Sequence, residues 1–160
     1  MSEDFVSIPN EGDNLSDLIS VIRAKDSKFS VSTRLLMLKS TVLAQEVLKD
    51  MMEHNTQTIE IDETPDLVKE FVYFLYTDKV NSLESNAPIL LPFSIKYGVK
   101  DLEKLCVDYL NKSMTEFNAF KRLELAVSCK NAELRTSSLE MSLSSYKTLE
   151  EFQEDLKTSK

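Results

Sequence analysis

The stretch STRLLMLKS, residues 32–40, places Leu35, Leu36, Met37 and Leu38 in four successive positions. Ser32 or Thr33 can cap a helix here, and at 100° per residue the four side chains sweep about 300° of its circumference. One core face covers only part of that arc. The helix is therefore either buried on several sides within its own chain or partly covered by another chain.

Composition narrows what surrounds it. A chain of 160 residues with 42% hydrophobic content can bury one core, enough for one domain or one domain with a short helical extension. Twenty-seven acidic residues against 19 basic leave a net charge of -8, and no basic stripe appears, which disfavours nucleic acid as a partner. The longest apolar runs, FVYFLY at 71–76 and PILLPF at 88–93, fall far short of a membrane span. The opening MSEDFVSIPN lacks the basic start and apolar centre of a signal segment, so the expected location is cytoplasmic, nuclear or both. Cys106 and Cys129 sit among helix formers, without disulfide or zinc spacing. Gly12 and Gly98 are too few and too far apart for a phosphate-cradling loop. His54 has no Cys or Ser neighbour arranged as nucleophile and base, and Glu150 with Glu151 reads as a solvated helix face. No enzyme, cofactor or metal site is expected.

The order of elements follows from pattern and capping. DLISVIR (17–23) and KFSVS (28–32) are β-prone runs joined by the turn-like AKDS, which predicts a hairpin. After the first helix, Ser40 can cap a second, in which Val42, Leu43, Val47, Leu48 and Met51 form one apolar stripe. TIEID (58–62) predicts a strand with Ile59 and Ile61 on one face. Thr64 and Pro65 open a helix with Leu67, Phe71, Phe74 and Leu75 inward. Helices follow to the end of the chain. One ends at Gly98 and is expected to kink or break at Pro92; the next carries Leu102, Leu105, Cys106 and Tyr109 on one side. Later caps are expected at Thr115 and Asn131, with a capping box at Thr148 and Glu151.

This order of hairpin, helix pair, strand, helix and further helices resembles the BTB/POZ domain. The residues that carry the resemblance are SDL at 16–18, FSVSTRLLMLKS at 29–40, IEI at 59–61, FVYFLYTDKV at 71–80 and KYGVKDLEKLCVDYL at 96–110. The stretch MTEFNAFKRLELAVSCKNAELRTSSLEM, 114–141, is similar to the helical three-box that follows the BTB domain in the speckle-type POZ protein branch. The resemblance implies an α+β fold, a small β-sheet flanked by helices and followed by an all-helical extension. It divides the chain into an N-terminal arm (1–13), a BTB/POZ domain (14–112), a three-box-like helical pair (113–145) and a charged C-terminal helix or tail (146–160). Asp17 matches a groove position of the family. Ser32 stands where a histidine is usual, and LLPFSIKY replaces an alanine-rich helix, so Pro92 and Phe93 call for altered local packing.

In cullin-binding members of that family, the loop after the second helix of the pair carries an apolar residue, any residue, then an acid. The pattern falls here on Met51, Met52 and Glu53. Methionine is unbranched and adaptable enough to fill a partner's pocket, and Glu53 would accept hydrogen bonds that set orientation. Equally, Met51 continues the stripe of Val47 and Leu48 and would cap the core, with Met52 and His54 given no special role.

The resemblance thus implies a non-catalytic adaptor. A dimeric BTB protein would dock the third cullin through Met51, Glu53 and the helices after 114, and would promote ubiquitination and proteasomal degradation of a substrate protein of unknown identity. Phe5, Val6, Ile8, Leu35, Leu36 and Leu38 are the candidate dimer interface, with the same chain or another BTB protein opposite. The length leaves no room for a MATH domain, a kelch propeller or zinc fingers. The alternatives are an oligomerisation or scaffold module without cullin contact, and an antagonist of full-length relatives.

Overall fold

The computed structural model describes residues 18–158; Phe5, Val6, Ile8 and Asp17 lie outside them. The chain forms two compact units, Met1–Glu103 and Lys104–Lys160.

The first unit is built on a hairpin of β1 (Ile19–Ala24) and β2 (Ser27–Ser32), paired from Ile19↔Ser32 to Ala24↔Ser27. Lys25 takes the positive φ of the tight turn, at 52°. A third strand, β3 (Thr58–Glu60), joins β1 in parallel, giving the order β2-β1-β3. Parallel pairing requires a crossover, and two helices supply it: α1 (Thr33–Lys39) and α2 (Thr41–His54). Ile22, Val31 and Ile59 are buried, as is Ile61 just beyond β3, while Glu60 is exposed, the alternation expected of TIEID. Beneath them the Thr33 hydroxyl donates to Gln57 Oε1 at 2.7 Å. Its single proton is thereby used, so the Ser20 hydroxyl donates to Thr33 at 2.7 Å.

Ser32 caps α1, its Oγ accepting from the Leu35 N–H at 3.4 Å, and α1 then resolves the four-residue apolar run. Leu36 is fully buried, Leu35 is half-buried, Met37 is exposed and Leu38 is 72% exposed. Leu36 therefore belongs to the core of its own chain and is unavailable to a dimer interface, a correction to the sequence expectation.

Ser40 separates the two helices. Its N–H donates to the Leu36 carbonyl and its Oγ accepts from the Leu43 N–H at 3.0 Å, while the same hydroxyl donates to the Tyr97 carbonyl at 2.6 Å. On α2, Val47 is buried but Leu48 is 45% exposed, so the stripe is narrower than the sequence suggests.

Thr64 and Pro65 open α3 (Pro65–Thr77) as expected, and Val68, Phe71, Phe74 and Leu75 are buried. Leu67, in the first turn, is only half covered. In α4 (Leu83–Lys96) the helix runs through both Pro88 and Pro92 without a break. The two prolines are four residues apart on one exposed face, so the carbonyls they leave unpaired at Glu84 and Pro88 can be hydrated. Opposite them, Phe93 lies 4.9 Å from the Phe71 ring and 4.6 Å from the Tyr97 ring, centroid to centroid. These contacts accommodate the residue that departs from the alanine-rich pattern.

Helix α5 (Lys100–Lys112) begins in the first unit, where Leu102 is buried. In the second unit its Cys106, Val107 and Leu110 are buried, whereas Leu105 and Tyr109 are only half so. Burial pushes the Cys106 thiol up to about 12, as suits a small core residue. An αα-hairpin follows, of α6 (Ala119–Ser128) and α7 (Ala132–Thr158), with Ala119, Ala126, Leu134 and Ser138 buried. Thr115 does not cap α6. Instead Asn118 Oδ1 accepts from the Thr115 N–H at 2.8 Å and stabilises a turn that delays the helix to residue 119. Asn131 does cap α7, at 2.8 Å to the Leu134 N–H. No helix starts at the expected capping box of Thr148 and Glu151, because α7 continues through it; no Gly or Pro interrupts residues 132–158.

The end of α2 is fixed by Asp50. Its carboxylate accepts from the Thr56 hydroxyl, from the Thr58 N–H at 2.9 Å, and lies 3.1 Å from His54 Nδ1. Asn55, at φ 54°, then turns the chain toward β3. His54 thus has a partner that the sequence did not suggest.

Two predictions follow from these joints. Gly98 has φ +64°, and a Cβ there would stand 2.2 Å from Thr41 Oγ1. Gly98→Ala should therefore cost at least about 1–2 kcal/mol for the backbone conformation alone, read as a lower urea midpoint; an unchanged midpoint would show that the joint relaxes freely. For Asp50, the bond from Thr56 and then that from Thr58 hold the carboxyl below the usual carboxylate range. The folded value is the lower one, so its contribution is complete above the ordinary carboxylate value and lost as pH falls through the folded value. Urea titrations should show the stability gap between the parent and Asp50→Ala narrowing from about pH 6 to about pH 3.

Candidate functional site

The last turn of α2 carries the candidate docking residues. The family resemblance puts Met51, Met52 and Glu53 in the loop after the second helix, whereas the stripe of Val47 and Leu48 continues to Met51; in the structure all three are helical, because α2 extends to His54. Asp50 explains the extension. Its bonds to Thr56 and Thr58 draw the following segment back against the helix end, so the turn is held from outside the helix.

Helical geometry then separates the three side chains by about 100° each. Met51 is half-buried, on the side of Val47; Met52 is 88% exposed; Glu53 is exposed. Glu53 makes no hydrogen bond or ion pair among the described residues. The turn therefore offers a fixed base with one methionine projecting into solvent, a second at its rim and a free carboxylate beside them. The sequence pattern favoured Met51, yet Met52 is the more accessible. Periodicity could have signalled this, since Met52 falls off the stripe defined by Leu43 and Val47.

Ser32, which stands where the family usually has a histidine, is engaged locally. Its Oγ caps α1, and its backbone N–H donates to the Tyr76 hydroxyl at 2.9 Å. Lys39 joins the ends of two further helices, reaching Asp78 at 2.5 Å and Asp101 at 3.3 Å and lying 5.7 Å from the Phe74 ring centre. The hydrogen bond that Lys39 donates to Asp78 chiefly raises its affinity for the proton, partly offset by burial, so Lys39 keeps its charge at any ordinary pH.

In the second unit, Phe117 is 98% exposed, and Phe120, Val127, Leu139 and Leu143 are also exposed. No motif or stripe in the sequence singles these residues out. The exposure of Phe117 follows from the late start of α6, which leaves it in the Asn118 turn. Among the described residues no cluster of His, Cys, Asp or Glu is placed to hold a metal ion, and no helix is long and apolar enough to cross a membrane.

Comparison with known proteins assigns the architecture. Residues 9–114 match the BTB/POZ domain. TD and POZ domain-containing protein 4 of Mus musculus is 32% identical over 116 residues, which is 71% of this chain and 31% of that protein. Kelch-like protein 7 of Rattus norvegicus is 27% identical over 90 residues, 56% of this chain and 15% of that protein. The BTB domain of zebrafish PATZ1 superposes with a TM-score of 0.49 at 16% identity, over 59% of this chain and 75% of that one. The chain thus spans about a third or less of the length of these curated relatives. With the hairpin, the helix pair joined at Ser40, the parallel third strand and the match over residues 9–114 in place, the chain belongs to the BTB/POZ domain family.

Proposed function

We propose that the chain is a non-catalytic protein-interaction adaptor that forms a dimer and docks the third cullin of a ubiquitin ligase, bringing a substrate protein to the ligase. The observation that supports this reading is the externally braced last turn of α2, which carries Met51, Met52 and Glu53, the residues on which the family resemblance puts the cullin contacts. A Kelch-like protein among the relatives adds support. The exposed apolar residues of α6 and α7 offer a further contact, within the helical extension over 113–145. Cytosol or nucleus would be the site of action.

The docking arithmetic is modest but sufficient. Burying one methionine against a partner contributes about 1.5–3 kcal/mol, or roughly ten- to hundredfold in affinity. Glu53 contributes to register more than to strength, because a rim carboxylate remains hydrated until it meets a matched donor. Catalysis is left to the ligase; the adaptor contributes effective concentration through linked binding events.

Dimerisation in this reading uses α1. Leu38 is exposed and Leu35 is half covered, whereas Leu36 is spent in the core. An isologous contact would bury Leu38 of each copy, with Phe5, Val6 and Ile8 as the accompanying arm.

Two measurements test these statements. Titration of the chain with the N-terminal domain of the third cullin should give binding that Met51→Ala weakens by about tenfold or more and that Glu53→Lys weakens without lowering the thermal midpoint. No binding by the parent chain would leave the oligomerisation module as the reading. Light scattering should give a dimer mass at micromolar concentration and a monomer mass for Leu38→Glu, a substitution at an exposed position; a monomeric parent would refute the dimer.

A further inference from the structure

We infer that the outer edge of β2 is a strand-addition site for an extended, acidic peptide segment of a partner protein. The inference is independent of the cullin surface and rests on hydrogen-bond parity in the sheet. The Val21 N–H donates to the Gln57 carbonyl at 2.8 Å, and the Arg23 carbonyl accepts from the Ile61 N–H at 2.9 Å. Odd-numbered residues of β1 therefore face β3, and even-numbered ones face β2. Ser20, Ile22 and Ala24 pair with Val31, Phe29 and Ser27, which leaves the main-chain groups of Lys28, Ser30 and Ser32 pointing away from the sheet.

Of these, only Ser32 has its N–H satisfied, by the Tyr76 hydroxyl at 2.9 Å. That bond both confirms the parity and closes one end of the edge. Among the described residues, nothing bonds the outward N–H and C=O groups of Lys28 and Ser30. Four adjacent main-chain groups thus stand ready for an added strand, the arrangement that extended peptides use when they bind a sheet edge.

Charge identifies the occupant. The segment from Arg23 to Lys39 holds five basic residues and the single acid Asp26, in a chain whose net charge is -8. Arg23 is paired with Glu60, and Lys39 with Asp78 and Asp101. Lys25, Lys28 and Arg34 are exposed and make no ion pair among the described residues. Lys25 lies in the turn before β2, Lys28 on the strand and Arg34 just past its end, so the open edge is flanked by unpaired cations along its length. An acidic strand would neutralise them. A second copy pairing through β2 would instead bring two such basic clusters together, at an electrostatic cost.

The test uses amide NMR on the full chain with two acetylated, amidated hexapeptides, one alternating valine with glutamate and one alternating valine with lysine. The glutamate peptide should shift the Lys28 and Ser30 amides and slow their hydrogen exchange by about fivefold or more. The lysine peptide should bind at least about tenfold more weakly. Ser30→Pro should abolish the response without disturbing β1, because the N–H it removes is not part of the ladder. Lys28→Glu, at an exposed position, should narrow the preference for the glutamate peptide, because Lys25 and Arg34 remain, and serves if the proline variant does not fold; an unchanged preference would overturn the charge argument. No response at Lys28 and Ser30 up to about 1 mM peptide, or an equal response to both peptides, would overturn the inference. Protection already present without peptide would also overturn it. Such protection assigns the edge to residues 1–17 if their deletion removes it, or to a second copy if dilution does.

Discussion

The Ser40 hydroxyl is the joint on which the first unit turns. It caps α2 and donates across the fold to the Tyr97 carbonyl, while its N–H closes α1 on the Leu36 carbonyl. The exit of α1, the direction of α2 and the end of α4 are therefore fixed at one buried residue. Gly98 makes the joint possible, since a side chain there would occupy the space of Thr41. Buried hydroxyl bonds are worth about 1 kcal/mol each in net stability, but leaving their partners unpaired costs more. The role of Ser40 is thus specification: it excludes other angles between the two helices.

What Ser40 does at one end of α2, Asp50 does at the other. Both ends of α2 are thus held by bonds from outside the helix, and the backbone of its last turn is positioned without a partner. Preorganisation matters here because each rotamer-rich side chain immobilised on binding costs about 0.5–1.5 kcal/mol. The helix backbone beneath Met52 and Glu53 is already ordered, so only their side chains remain to be fixed.

The elements legible in the sequence were those with local chemistry. Ser32, Ser40, Thr64 and Asn131 cap as their spacing predicts, and the hairpin and β3 follow from alternation. The misread elements were decided at a distance. Helix α2 outlasts its expected end because Thr56 and Thr58 return to Asp50, which no window of the sequence reports. Helix α4 survives two prolines because both fall on its solvent face, a matter of phase set by which side of the helix meets the core. Thr148 and Glu151 fit a capping box, but a box starts a helix only where the preceding one stops, and no breaker stands there. The docking role proposed for Met51 and Glu53 comes from the family resemblance alone. Their exposure was not legible, and neither was the open edge of β2, whose parity is defined only once β3 is known to lie on the far side of β1.

The four apolar residues of α1 end as a divided set, and the division is enforced. Leu36 is committed inward and Leu38, two positions on, stands about 200° away from it. A free helix could rotate to share the cost of exposure between them. Helix α1 cannot, because its seven residues are pinned by Ser32 at the start and Ser40 at the end, and Lys39 is clamped to Asp78 and Asp101. Rotating Leu38 inward would break both caps and the clamp and would expose Leu36 in exchange. The exposed leucine is therefore a fixed consequence of the joint at Ser40, so its burial requires a surface other than the described residues of the first unit.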